Sequence, residues 1–584
     1  MGKLLQKYRR TLTNYESLIA YSLLGVTGGV ASGLVVLAFG LGIGELSRLW
    51  GVGNGGEDFE SLPALAAFAL PAGGALLLGL AYTLLRPEDR ETGVVHVISR
   101  MHSHYGALPL RNAVVQFTGG VFALATGLSG GREGPGVHLG GAINSLLGQR
   151  LGLPNNSLRV LVACGTAGGI AAAFHTPLAG VIFAMEVIVA EYTVVGFIPE
   201  ILAAVAASAV SQYFSPSGAL FSVPPVQLHS LLEIPYIILL GVCCGIAVAA
   251  FIRISSIVAR FAHLPVALRF AAAGVLTGTL ASFAPQVMGI GYDSLNLIMR
   301  GEFAITALLV IAGCKLLSAA VNSGVGMPMG VIGPSLLLGA CIGGVLGAAG
   351  AALQPQLASE AVLYVVIGMA AAMGTMLNAP LAAILAVIEL THNIGIGMPA
   401  LLAIVAATLA NRGVFHQRSA YQEVLRQLQR LVPNDPLNQL LHRTDVTSTM
   451  DSRVVRVPVS LAPQDIEPLL EFTPTWCLIS REGEDLYLVQ GADLLEWLAH
   501  SGEVQGIEDD AASGTRDLTE APIRRWTTAP VPMQATLRQA MDTMRARTTE
   551  AVCVYERSRN TGKQILHGVV TRESIEKFTL ASVL

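Results

Sequence analysis

As far as about Arg412 the chain runs in long apolar stretches broken by glycine and proline; beyond it, apolar runs shorten and charged turns separate them. Uncharged stretches of the length that crosses a bilayer, about 20 residues, recur at Leu18–Gly44, Ser61–Leu85, Val160–Met185, Ile201–Leu232, Ile234–Ile252, Phe270–Tyr292, Leu316–Ser359, Ala361–Ile388 and Leu390–Asn411. Some exceed one crossing and must hold two segments. The pattern predicts a polytopic α-helical membrane unit over 17–432 behind a short segment, 1–16. Residues 413–443 are polar and helix-like. From 444, strand-like runs at Val454–Val459, Cys477–Ser480 and Leu486–Val489 precede a helix-like Asp493–Leu498. The order then returns through Ala529–Val531, Leu537–Met544, Ala551–Tyr555, Gly568–Thr571 and Ser574–Phe578. A β-α-β-β-α order used twice predicts an α+β module over 433–584.

Composition strengthens the membrane reading. The 584 residues are 52% hydrophobic and 13% charged, about half the charged share of a soluble domain. Abundant glycine favours close helix packing through small residues. The net charge of −4 comes with no basic patch for nucleic acid. The seven cysteines form no CxxC pair or His/Cys cluster, so they read as core residues, and no metal or cofactor is expected. Lys3, Lys7, Arg9 and Arg10 put the N-terminus on the cytoplasmic side, and Arg412, Arg418, Arg426 and Arg430 do the same for the far end of the membrane unit. The first apolar run is too long for a cleaved signal.

Two charges break the apolar background, Arg132 and Glu133, within Gly130-Gly-Arg-Glu-Gly134-Pro135. An ionisable residue between membrane segments reads by default as functional. The glycines end one helix and Pro135 suits the first turn of the next. Glu133 is thus expected at an intramembrane helix N-terminus, an anion site that its own carboxylate can occupy as a gate. The plainer reading is a structural Arg132–Glu133 pair. The motif also recurs: Gly131–Pro135 with Gly140 matches Gly330–Pro334 with Gly339, and Pro177–Glu186 matches Pro380–Glu389, at offsets 334 − 135 = 199 and 380 − 177 = 203. Two copies of a broken-helix unit, about 17–215 and about 234–432, are the mark of a transporter with its ion site where the breaks converge.

These residues resemble the CLC family of chloride channels and proton/chloride exchangers, from about residue 17 to the C-terminus. Gly131-Arg-Glu-Gly-Pro looks like the family's GREGP motif, Gly330-Val-Ile-Gly-Pro like its GxFxP motif, and Pro177-Leu-Ala-Gly with Glu186, Pro380-Leu-Ala-Ala with Glu389, and Tyr421 add to the likeness. The resemblance implies a homodimer in the cell membrane, one anion pathway per subunit, inverted repeats, and a cytoplasmic pair of CBS motifs. It assigns Glu133 the gate and proton site, and sets backbone N–H groups of Gly131, Arg132, Gly134, Val331 and Ile332 with the Tyr421 hydroxyl around the anion; Tyr421 also reads as a packing residue.

Departures matter as much. The family's GSGIP motif falls on Glu91-Thr92-Gly93-Val94-Val95 (133 − 41 = 92). Thr92 offers a hydroxyl in the serine's place, whereas Glu91 puts an acid where the family has glycine. A buried lysine of some relatives falls on Gln116. The inner proton glutamate of many exchangers follows the PLAG-helix glutamate; here Glu186 is followed by Val187, with Glu191 one turn on. That leans toward a channel, with a proton-coupled exchanger as the alternative. In the CBS nucleotide pattern Gly-h-h-Thr-x-x-Asp, the first copy keeps Asp493 but has Gln490, and the second keeps Thr571 but has Ser574. A structural or dimerising module fits as well as an adenine-nucleotide sensor.

Two other classes deserve weight. Gly127-Leu-Ser129-Gly130 matches the G-x-S-G of intramembrane serine proteases, with His138 or His175 as base, but proteolysis needs no duplicated Gly-Pro helix start. A sensor merely anchored in the membrane leaves Glu133 unexplained. Anion transport rather than enzyme catalysis is the expectation.

Overall fold

The computed structural model describes residues 18–53, 58–192, 194–214, 221, 226–356, 358–430, 440–441, 444–462, 465, 469, 472–481, 484–503, 516–519, 521–557 and 564–583. The expected N-terminal segment, 1–16, lies outside them. The described chain divides into two compact units, one reaching 430 and one from 440 onward, with 153–157 grouped with the second.

The first unit is all helix. Its helices are α1 Leu18–Leu49, α2 Ala64–Thr83, α3 Gly93–Ser103, α4 Leu110–Ala125, α5 Glu133–Leu151, α6 Asn155–Phe174, α7 Pro177–Phe183 and α8 Val194–Phe214, then α9 Ile234–Ala259, α10 Val266–Ala281, α11 Tyr292–Met299, α12 Ile305–Gly324, α13 Ile332–Leu353, α14 Ala361–Leu377, α15 Pro380–Thr391, α16 Gly397–Leu409 and α17 Ala420–Gln427. Among the described residues eight helical stretches are long and apolar enough to cross a membrane. The over-long run from Leu316 to Ser359 divides between α12 and α13, and that from Ala361 to Ile388 between α14 and α15.

The breaks follow local chemistry. Asn378 (φ 56°) ends α14 and His175 (φ 60°) follows α6 in the left-handed region, and each is followed two residues later by the proline that opens the next helix. Helices α1–α8 recur in order as α9–α16, making two inverted repeats. Each repeat crosses its fifth and sixth helices at a glycine pair: a Cβ on Gly140 would lie 2.2 Å from the Gly165 carbonyl oxygen, and one on Gly339 2.1 Å from that of Gly368. Glycine lets the backbones approach this closely. The core is correspondingly built from aliphatic side chains of α13 and α14, such as Leu336, Leu337, Val366 and Met369.

The second unit holds two copies of one arrangement. Strands β1 (Val454–Pro458), β3 (Trp476–Arg481) and β4 (Glu484–Gln490) form a sheet ordered β1-β3-β4, with β2 (Ser460–Leu461) pairing β5 (Arg516–Asp517); β6 (Thr528–Pro532), β7 (Ala551–Arg557) and β8 (Gln564–Thr571) form another, ordered β6-β7-β8. In each three-stranded sheet the first pairing is parallel and the second antiparallel. Helices α18 (Gly491–Glu503) and α20 (Arg572–Val583) follow the last strand of each copy, and α19 (Leu537–Arg547) links β6 to β7. Leu488 of β4 bridges to Trp526 before β6, and Val569 of β8 to Asp451 before β1, so each copy extends the other. Trp476, Leu478, Leu488, Cys553, Tyr555 and Val569 fill the space between the sheets.

Candidate functional site

The two helix breaks meet. Gly131 donates its N–H to the Gly330 carbonyl at 2.8 Å, and Gly330 returns the bond at 2.7 Å. The pair are repeat counterparts (330 − 131 = 199), so the bridge lies on the pseudo-two-fold axis. Only glycine fits: a Cβ on Gly330 would sit 2.6 Å from the Gly134 nitrogen. The bridge sets the N-termini of α5 and α13 against each other. It also corrects one expectation, because the Gly131 N–H faces its repeat partner instead of an anion.

Glu133 is the first residue of α5 and is wholly buried. Its carboxylate crosses to the other repeat, where Oε2 accepts the Gly333 N–H of α13 at 3.3 Å and Oε1 accepts the Tyr292 hydroxyl. A carboxylate from one repeat thus rests on the opening amides of a helix in the other, where free N–H groups and the helix dipole favour negative charge. Val331 and Ile332 form the N-cap and first turn of that helix. Arg132, the N-cap of α5, donates to the Ala173 carbonyl at 3.0 Å and lies 5.2 Å over the Tyr292 ring. Gly134 stands beside it in the first turn of α5, against Gly330.

Tyr421 enters from α17, whose start Ser419 caps by accepting the Gln422 N–H. Its hydroxyl is buried, makes no hydrogen bond among the described residues, and lies within electrostatic reach of Glu133. A buried donor left unpaired costs about 1–3 kcal/mol. Thr92 caps α3 without a side-chain cap bond of its own.

Several other candidates turn out to have structural partners. Gln116 accepts the Gly93 N–H at 2.7 Å and donates to the Pro328 carbonyl at 2.9 Å, tying the start of α3 to the approach to α13. Glu91 is not a bare acid: Arg430 holds both its oxygens at 2.8 Å, which offsets the negative charge placed where the family has glycine. Glu186 accepts the Leu381 and Ala382 N–H groups at 3.2 and 2.9 Å, and Glu389 accepts those of Leu178 and Ala179 at 3.0 and 2.8 Å. Each glutamate caps the broken helix of the other repeat. Val187 lies in the π turn Ala184–Val189 that continues α7 and is partly buried against the core. Glu191 is buried, its N–H on the Met185 carbonyl at 3.1 Å.

The Ser129 hydroxyl has no hydrogen-bond partner among the described residues, and His138 turns to His96, so no Ser–His couple forms there. In the second unit Asp493 lines a cleft with Glu496, Trp497, Ile523 and Arg524. Thr571 is occupied: its Oγ1 accepts the Ser574 N–H at 3.1 Å while Ser574 Oγ accepts the Thr571 N–H at 3.2 Å, capping α20.

Three residues escaped the sequence reading. Tyr292 is the repeat counterpart of Gly93 and Lys315 that of Gln116, both at an offset of 199. Lys315 is fully buried inside α12 and donates to the carbonyls of Val287, Gly289 and Ile290 at 3.1, 3.0 and 3.4 Å. Applying the repeat offset to Gln116 finds Lys315, whereas Tyr292 falls opposite a glycine and no polar counterpart marks it. Glu200 is buried in α8 with Oε2 unpartnered among the described residues, and no motif marks it.

Inverted repeats of broken helices whose ends meet around a buried carboxylate define a class of membrane transport proteins. The chain belongs to the voltage-gated chloride channel family, whose profile matches residues 74–412. Among relatives, it is 30% identical over 320 residues to a ClcB-like chloride channel protein of Ralstonia nicotianae, covering 53% of this chain and 74% of that one. To the H(+)/Cl(-) exchange transporter ClcA of Vibrio cholerae it is 29% identical over 286 residues, 47% of this chain and 60% of that one. A slow cyanobacterial Cl-/H+ antiporter shares the fold at a TM-score of 0.63 and 20% identity, over 70% of this chain and 97% of its own. A eukaryotic CLC transporter does so at 0.57 and 21%, over 97% of this chain and 98% of its own.

Proposed function

We propose that this protein exchanges chloride for protons across the cell membrane, with Glu133 as both gate and proton site. The observation that carries the reading is the Glu133 carboxylate seated on the Gly333 amide and the Tyr292 hydroxyl. Chloride and carboxylate compete for the same donors. Protonation removes the charge that holds the side chain, which then yields its place to the anion. Amides and hydroxyls bind a halide without trapping it, and the donors from Arg132, Gly134, Val331 and Ile332 backbones, Tyr421 and Thr92 suit that task. Exchange is favoured over a channel because relatives such as the Vibrio cholerae protein are named H(+)/Cl(-) exchange transporters; the channel reading rests on Val187 alone. The unit over 17–432 would carry transport in a homodimer with both termini cytoplasmic. The module over 433–584 resembles a CBS pair, with a structural or dimerising role.

Purified protein in liposomes under a chloride gradient tests this. Wild type should drive protons uphill, and Glu133→Gln should pass chloride without moving protons and without pH dependence. Chloride flux in wild type with no proton movement would restore the channel reading. Undiminished pH dependence in Glu133→Gln would remove Glu133 as the gate.

A further inference from the structure

We propose that His96 and His138 form a proton relay joining the Glu91–Arg430 pair to Glu133, taking the place of the side chain absent at Val187; this rests on the exchanger reading above. Four observations line up. His138 lies on α5, the helix that Glu133 begins, and is fully buried. Its Nε2 is 2.8 Å from Nδ1 of His96, itself buried on α3. His96 Nε2 is 4.0 Å from Glu91 Oε2, and that carboxylate is about one-third exposed. Nδ1 of His138, at the other end of the chain, has no hydrogen-bond partner among the described residues.

A purely structural role explains this arrangement badly. Two imidazoles bonded chiefly to each other leave an outer nitrogen desolvated, at a cost that an aliphatic pair of similar volume would avoid. As a relay each nitrogen has a task. The charged and titratable groups facing His96 are Glu91, Arg100, Arg430 and His104, and His138 is faced by His96. Arg430 belongs to the basic cluster assigned to the cytoplasmic side, so the exposed end of the relay opens there.

The transfer balances. In the receiving state His96 carries its proton on Nδ1 and His138 on Nδ1. A proton arriving beside Glu91 binds His96 Nε2, the Nδ1 proton of His96 passes to His138 Nε2, and the Nδ1 proton of His138 leaves toward the Glu133 carboxylate. Five residues of α5, about 7.5 Å along the axis and about 140° around it, separate His138 from Glu133, so the last step requires bridging water. Both rings end neutral in the opposite tautomer and reset by rotation, or the sequence runs in reverse.

The test is the proton-to-chloride ratio in liposomes for His96→Gln and His138→Gln, with His96→Asn and His138→Asn as second variants. Each should keep chloride flux within about twofold of wild type while the ratio falls at least about tenfold, a change of 1.4 kcal/mol or more in transfer. An unchanged ratio at either position overturns the relay, because transfer in series needs both rings. Equal loss of chloride and proton flux in both the Gln and Asn variants overturns it too. Failure of the exchanger reading looks different: wild type itself then moves chloride with no protons.

Discussion

In the proposed mechanism one carboxylate and one halide compete at Glu133 for a few donors, so each donor sets part of the balance. Tyr292 is the donor most open to test. Tyr292→Phe keeps the ring beneath Arg132 and removes the hydroxyl that holds Oε1. A hydrogen bond to a charged group contributes about 1.5–3 kcal/mol, so chloride flux at neutral pH should rise by roughly tenfold or more; unchanged flux would mean that Tyr292 does not restrain the gate. In the second unit Asp445 is buried, and burial pushes its carboxyl from 3.8 up to about 8. The folded state therefore holds that proton more tightly than the unfolded chain. Its stabilising contribution is complete below about pH 4 and is lost as pH rises through about 8. Thermal unfolding followed by the fluorescence of the Trp476–Trp526 pair should occur at lower temperature as pH rises across that window. Asp445→Asn should flatten the trend, and the same slope in the variant would refute the assignment.

Among the elements, the broken helices are held by reciprocity. Glu186 caps α15 while Glu389 caps α7, each supplying a charged acceptor to two opening amides of the opposite repeat. The caps predict matched stability losses. Glu186→Ala and Glu389→Ala should each lower stability by about 1–3 kcal/mol, read as similar drops in the melting midpoint in detergent, with the double variant non-additive because the two pairs share an interface. If Glu186→Ala abolished proton coupling at an unchanged midpoint, Glu186 would be a transport residue. The glycine crossings at Gly140–Gly165 and Gly339–Gly368 belong to the same scale, since they let α5 lie close against α6 and α13 close against α14.

For the molecule as a whole, the question is whether the second unit senses a ligand. Asp493 shares its cleft with Glu496 and Arg524, and Thr571 is engaged with Ser574 in capping α20. Neither copy offers a ribose both a free threonine hydroxyl and a carboxylate. Calorimetry on the full chain with ATP, ADP and AMP should therefore detect no binding tighter than millimolar. A micromolar affinity would show that the cap opens to admit nucleotide.

Periodicity, punctuation and repetition were legible in the chain. Runs of about 20 uncharged residues, Gly-Pro helix starts and matched motifs 199 and 203 residues apart pointed to two repeats of broken helices with Glu133 at the centre, while their inversion came only from the family resemblance. These features are local, and local backbone chemistry decides them. Partnerships between distant residues were not legible: Arg430 neutralises Glu91 across 339 positions, and Tyr292 reaches Glu133 across 159. Spacing in sequence carries no information about which side chains a closed fold brings within 3 Å. Whether Gly131 offers its N–H to an anion or to Gly330 was decided only when the two repeats packed against each other, because the same polar atom serves either purpose until a neighbour claims it.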